Sequence, residues 1–190
     1  MRTRSLFWLA PVLLLSGCVP SVHPFYTEKD LVFEPALVGT WVPSDSKDTW
    51  TFEKEGDKAY QVTVLEEGKP GKFQGHLLKL GDHLFLDLFP KPIGSGSEQC
   101  ENISAFWALH FVPAHTCSRL QIKGDSLEIA FMDPDALDQK IKQGETQIGH
   151  ERIEDTTVLT APTQDLQALV LKYAEGTQLF GEPGHLQRQK

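Results

Sequence analysis

Short runs rich in β-branched and aromatic residues recur at close spacing from Leu37 to Phe131, with turn-forming residues between them. That rhythm constrains the fold more than any other feature of the chain. Strands separated by tight turns, with no intervening helical periodicity, indicate an antiparallel sandwich or barrel rather than alternating strands and helices. The predicted strands are Leu37 to Val42, Thr49 to Lys54, Ala59 to Glu66, Lys72 to Leu80, His83 to Leu88, Phe106 to Val112, Thr116 to Lys123 and Ser126 to Phe131. Breaks at Pro43-Ser44-Asp45, Glu55-Gly56-Asp57, Gly68-Lys69-Pro70-Gly71, Gly81-Asp82 and Gly124-Asp125 supply the residues that tight connections need. The expectation is a mainly β domain, an antiparallel meander of about eight strands.

Helices enter only after the strands. Asp133 is placed to cap a short helix with Pro134 at its first position, and Leu137 with Ile141 gives that helix one apolar edge. Residues 143–155 are polar and read as loop, and Thr156 to Leu159 reads as one further short strand. Thr163 is expected to cap a C-terminal helix that docks through Leu166, Leu169, Val170 and Tyr173, a single stripe at i, i+3, i+4 and i+7. Gly176 ends it, leaving residues 176–190 as a polar tail. The long break 89–104, with Pro90, Pro92 and Gly94-Ser95-Gly96-Ser97, is either a surface excursion or a binding lid.

The amino end carries Arg2 and Arg4, then an uncharged stretch from Leu6 to Leu15 of about ten residues, too short to cross a bilayer as a helix. Leu15-Ser16-Gly17-Cys18 closes that stretch and resembles a bacterial lipobox. The resemblance implies that residues 1–17 are a signal peptide and that Cys18 becomes lipid-modified. It also implies a membrane as partner, since several acyl chains anchor stably where one does not. Val19 stands where enterobacterial inner-membrane lipoproteins typically carry Asp, so the outer membrane, facing the periplasm, is favoured. Residues 18–36, with three prolines, read as a lipidated tether and lead-in to the domain at 37–175.

The formal net charge is −8, and removing residues 1–17 takes two arginines and no acid with it. Such an acidic balance argues against nucleic acid and against electrostatic attraction to anionic lipid. With Cys18 modified, Cys100 and Cys117 remain, an even pair suited to an oxidising compartment. They form either a disulfide, contributing about 3 kcal/mol, or two unpaired thiols. His76, His83, His110, His115 and His150 are scattered, without zinc or EF-hand spacing, so no metal site is expected. No nucleophile elbow, P-loop or dinucleotide fingerprint is present, and neither an enzyme nor a cofactor is expected.

Gly39-Thr40-Trp41 opens the first predicted strand and resembles the Gly-x-Trp signature of the lipocalin superfamily, which includes bacterial outer-membrane lipoproteins. The resemblance covers roughly residues 37–175. It implies that Trp41 plugs the closed end of the barrel against an arginine from a late strand, for which Arg119 and Arg152 are the candidates. The segments His23-Pro24-Phe25-Tyr26-Thr27 and Ala36-Leu37-Val38-Gly39-Thr40-Trp41 also resemble uncharacterised bacterial lipoproteins, a likeness that carries no function. Trp50, Phe52, Phe85, Phe106 and Trp107 lie on predicted strands and either fill a core or line a cavity for a small hydrophobic molecule. The expected function is a non-enzymatic binder of such a molecule in the cell envelope. The alternative is an envelope interaction lipoprotein, its barrel packed solid, that binds a protein partner not identified by the sequence.

Overall fold

A computed structural model describes residues 18–43, 46–91 and 110–190. Its β-strands are β1 Pro20–Ser21, β2 Leu31–Val32, β3 Gly39–Pro43, β4 Thr49–Glu55, β5 Ala59–Glu66, β6 Lys69–Leu80, β7 His83–Pro90, β8 His115–Lys123, β9 Ser126–Phe131, β10 His150–Ile153, β11 Thr156–Leu159 and β12 Gly184–Arg188. A 3-10 turn spans Pro35–Leu37, and two helices follow β9, α1 at Pro134–Lys142 and α2 at Thr163–Lys172.

Strands β3 to β9 pair in sequence, each antiparallel to the next, and β12 bridges β9 back to β3. The ring is therefore closed at eight strands, an antiparallel lipocalin-like barrel with a short helix and a docking helix. Closure leaves no unpaired edge in the ring itself. The eighth strand differs from the expected one. Residues 106–109 lie outside the described set, residues 110–112 are not in a strand, and β7 pairs directly with β8, so no strand lies between them. The place is taken by the tail at 184–188, whose one inward apolar side chain is Leu186.

Alternation along the strands builds two cores on opposite faces of the barrel wall. Inside lie Trp41, Phe52, Tyr60, Val62, Leu77, Leu86, Leu120, Leu127, Ile129 and Leu186. Outside, on β6 to β9, lie Leu78, Leu80, Phe85, Cys117 and Ala130, covered by α1, α2, β11 and the amino-terminal segment. Burial of β7 on both faces explains its unbroken apolar run Leu84-Phe85-Leu86. Asp133 caps α1 by accepting from the Ala136 N–H at 2.9 Å. At α2 the cap position falls to Pro162, and the Thr163 hydroxyl instead donates to the Pro24 carbonyl at 2.8 Å.

The amino-terminal segment is a packed strap rather than a tether. Val19 is 1% exposed, Ser21 and Phe25 are fully buried, and Leu31 is 6% exposed. β1 lies between β8 and β11, β2 pairs with β6, and Gln167 on α2 donates to the Phe25 carbonyl and to Asp30. Residues 150–153, expected as loop, form β10, an all-exposed strand whose strand partner is β11 and whose Arg152 also pairs with Asp138 on α1. Among the described residues no helix is long and apolar enough to cross a membrane.

Candidate functional site

The two ends of the barrel differ. At one end β3 begins and β12 finishes, in a register that sets Arg188 opposite Trp41. Trp41 is fully buried and its indole N–H donates to the Leu37 carbonyl at 2.9 Å. The Arg188 guanidinium lies 4.2 Å from the indole ring centroid, donates through Nη1 to the Val38 carbonyl at 2.7 Å and through Nη2 to Ala36, and reaches Asp125 through Nε at 3.2 Å. Gly39 makes room for it. Its φ is +134°, and a Cβ there would lie 2.6 Å from Nη1 of Arg188. The strap seals this end further, with Phe33 stacked on Tyr60 at 5.0 Å and the Tyr60 hydroxyl bonded to the Glu34 backbone.

The arginine over Trp41 is therefore Arg188, not Arg119 or Arg152. Arg119 points to the outside of the wall, where it donates to the carbonyls of Ala174 and Gly176 and packs on Phe180. Arg152, on β10, holds Asp138 and Thr157. A late strand can supply the plug only if it pairs with β3, and that strand is β12.

At the other end, where β3, β5, β7 and β9 finish, the interior side chains are Trp50, Val64, Phe73 and Phe131, all only partly buried. Trp50 and Phe131 meet from β4 and β9 at 5.9 Å between centroids. This end is an apolar mouth. Below it the barrel is filled, with Phe52, Tyr60, Val62, Leu77, Leu86 and Leu127 at 0% exposure. Exposed Phe111 and Val112, 59% and 78%, lie just before β8 begins at the mouth.

Of the aromatic residues expected to bind, Trp50 lies at the mouth and Phe52 in the filled interior below it, 6.2 Å away. Phe85 belongs to the outer core, against Phe180 at 5.8 Å, and cannot meet anything inside the barrel. Phe106 and Trp107 lie outside the described residues, as does Cys100. Cys117 is a free thiol, 2% exposed, and burial, with Asp87 adding to it, pushes its pKa well above the ordinary value. It is a core residue, not a nucleophile.

A polar cluster that no motif announced lies on the outer face of the wall. Asp87 is fully buried, with Oδ2 accepting the Phe25 N–H at 2.9 Å and Oδ1 2.8 Å from Nδ1 of His115. His76 faces Asp87 across the β6–β7 ladder and lies against the Tyr26 ring at 4.3 Å, while its own Nδ1 has no hydrogen-bond partner among the described residues. Burial lowers the His76 pKa, opposed by the charges of Asp87, Glu28 and Glu55 and assisted by His115. Among the described residues the thiol beside the carboxylate–imidazole pair is Cys117, whose pKa is raised by burial. The pair's chemistry is that of a buried anchor, satisfying a backbone N–H of the strap. A charged group inside an apolar run gave the only sequence signal, Asp87 in Leu84-Phe85-Leu86-Asp87-Leu88.

Two open grooves of about 460 Å³ each are present, one lined by His83, Leu84, Arg119, Ile122 and Glu175, the other by Glu28, Glu55, Lys58 and His76. Among the described residues no three His, Cys, Asp or Glu side chains are grouped to hold a metal ion. The fold and site thus define a small antiparallel barrel, sealed at one end by a tryptophan–arginine plug and apolar at the other. Compared with known proteins, the chain matches no family model, no curated protein and no solved structure.

Proposed function

We propose that this protein is a lipid-anchored lipoprotein of the bacterial envelope, acylated on Cys18, that binds a hydrophobic molecule or acyl chain at the mouth of its barrel without chemical turnover. The observation that carries the reading is the contrast in burial. Trp50, Val64, Phe73 and Phe131 leave apolar surface partly open at one end, whereas Phe52, Tyr60, Val62, Leu77, Leu86 and Leu127 below them are fully buried. Partly open apolar surface at the end of a barrel favours an apolar ligand. A filled interior makes the site shallow, suited to part of a ligand rather than to complete enclosure.

The filled interior also supports a second reading, an interaction lipoprotein that presents the mouth, with Phe111 and Val112, to a protein partner. A fatty acid brominated in mid-chain separates the two. Bromine quenches tryptophan at short range, so titration of residues 19–190 with dibromostearate is expected to quench saturably at one equivalent. In a Trp107→Phe background, a Trp50→Phe variant, folded by circular dichroism, should lose most of that quenching, because the remaining Trp41 is sealed at the opposite end. Quenching that is absent, or non-saturable and unchanged by Trp50→Phe, would overturn the ligand-binding reading and favour the protein partner.

A further inference from the structure

Lipoproteins anchored through an amino-terminal cysteine gain freedom from the bilayer only through chain left unfolded after that cysteine, and here almost none remains. Cys18 is exposed, Val19 is 1% exposed within the outer core, and Pro20 is already paired with β8. The direction of departure is fixed as well. β1 runs antiparallel to β8, which begins at the mouth and ends at the sealed end beside Lys123, so the chain traced backward from Ser21 toward Cys18 heads away from the mouth.

β11 runs parallel to β1, with Ser21 beside Leu159 and the Val22 N–H donating to the Leu159 carbonyl at 2.9 Å. The β1–β11 pairing joins Ser21 to Leu159; continued three residues back in the same register, it would bring Cys18 level with Thr156, whose partner across the β10–β11 hairpin is Ile153. On that register two strand spacings, about 10 Å, would separate Cys18 from Ile153. Ile153 is 60% exposed at the hairpin tip, beside the turn residue Glu154 with φ +52°. The tip does not swing freely, because Thr157 donates to Asp138 on α1 at 2.6 Å and Arg152 pairs with the same carboxylate.

From this geometry we infer that, given acylation of Cys18, the barrel is held rigidly on its own membrane, with the β10–β11 tip and Ile153 seated at the lipid headgroups and the apolar mouth turned away. The inference rests on the lipid-anchored reading. Acyl chains at Cys18 draw everything within about 10 Å toward the interface, and an exposed isoleucine gains by entering it. The bilayer is the occupant the hairpin tip fits, since a net charge of −8 gives the chain no overall attraction to anionic lipid and apolar insertion beside the anchor is the favourable contact. The mouth then exchanges with the aqueous space or an opposing surface, not with the leaflet that holds the anchor.

The test uses the full chain, expressed in a bacterial host and purified from its membranes, with its mass determined first. In a Cys100→Ser background the remaining thiol, Cys117, is buried, so bimane can be attached singly at Ile153→Cys or at Glu67→Cys, in the β5–β6 turn at the mouth. In phosphatidylethanolamine–phosphatidylglycerol vesicles carrying a headgroup-proximal nitroxide lipid, the Ile153 label should be quenched at least threefold more than the Glu67 label. Twenty Gly/Ser residues inserted between Cys18 and Val19, reaching about 25 Å, should erase the difference. Equal quenching at both positions in protein whose mass carries the acyl groups would overturn the inference while leaving the anchor intact. A mass without acyl groups would remove the lipid-anchored reading itself, and this inference with it.

Discussion

Replacing Gly39 with alanine tests the sealed end of the barrel with a single methyl group. Two separable costs follow from the geometry. At φ +134° an L-residue sits in a region that costs about 1–3 kcal/mol wherever surrounding structure enforces it. The new Cβ would also stand 2.6 Å from Nη1 of Arg188. A guanidinium can swing aside cheaply when its end is free, but this one holds Val38, Ala36 and Asp125 and lies on Trp41. Displacing it forfeits a cation–π contact of about 0.5–2 kcal/mol. The total is about 2–4 kcal/mol, a drop in Tm of about 5–15 °C for a domain of this size. Urea unfolding of residues 19–190 measures it, for Gly39→Ala, Arg188→Ala and the double variant. Because the collision requires Arg188, the substitution should cost about 1–2 kcal/mol less in the Arg188→Ala background. A Gly39→Ala variant within 0.5 kcal/mol of the parent, or strict additivity in the cycle, would refute the reasoning.

Ending the chain at Pro183 removes β12, uncovers the edges of β3 and β9 together, and should yield protein that aggregates on size-exclusion chromatography. Ending it at Arg188 should leave the elution unchanged. Asp87→Ala strips the Phe25 N–H and His115 of their partner and should destabilise by about 2–4 kcal/mol in urea unfolding, with faster proteolysis within residues 19–30. Burial keeps the His76 pKa below its unfolded value of 6.5, so the unfolded chain takes up a proton that the folded one resists. Stability from this group is complete above pH 6.5 and falls as pH drops toward the folded pKa, so His76→Gln should flatten the loss between pH 6.5 and 5.5 in urea titrations.

Seven of the eight barrel strands are legible in the sequence because turn residues punctuate an apolar period of two; the predicted bounds Ala59–Glu66 and Ser126–Phe131 coincide with β5 and β9. β12 is not legible. Gly184-His185-Leu186-Gln187-Arg188 offers one apolar residue, and its inward arginine reads as a surface charge until Trp41 lies beneath it. The same locality misassigned Phe85, since a strand buried on both faces carries no alternation to tell inside from outside. Prolines made the strap look like a tether, yet Pro24 and Phe25 are pinned by α2, more than a hundred residues later in the chain. Trp50 was legible as an aromatic on a strand. Its place at the mouth with Phe73 and Phe131 depends on the register of the closed ring.

The most direct test of the central claim, an apolar binding site at the mouth of a sealed barrel, is native mass spectrometry of residues 19–190 exported to the periplasm and purified without detergent. A reproducible hydrophobic adduct is expected at one per chain, lost in Trp50→Asp and Phe73→Asp variants that keep their β-sheet circular dichroism. A bare protein mass from the folded, unsubstituted chain, before and after incubation with palmitate, would contradict it.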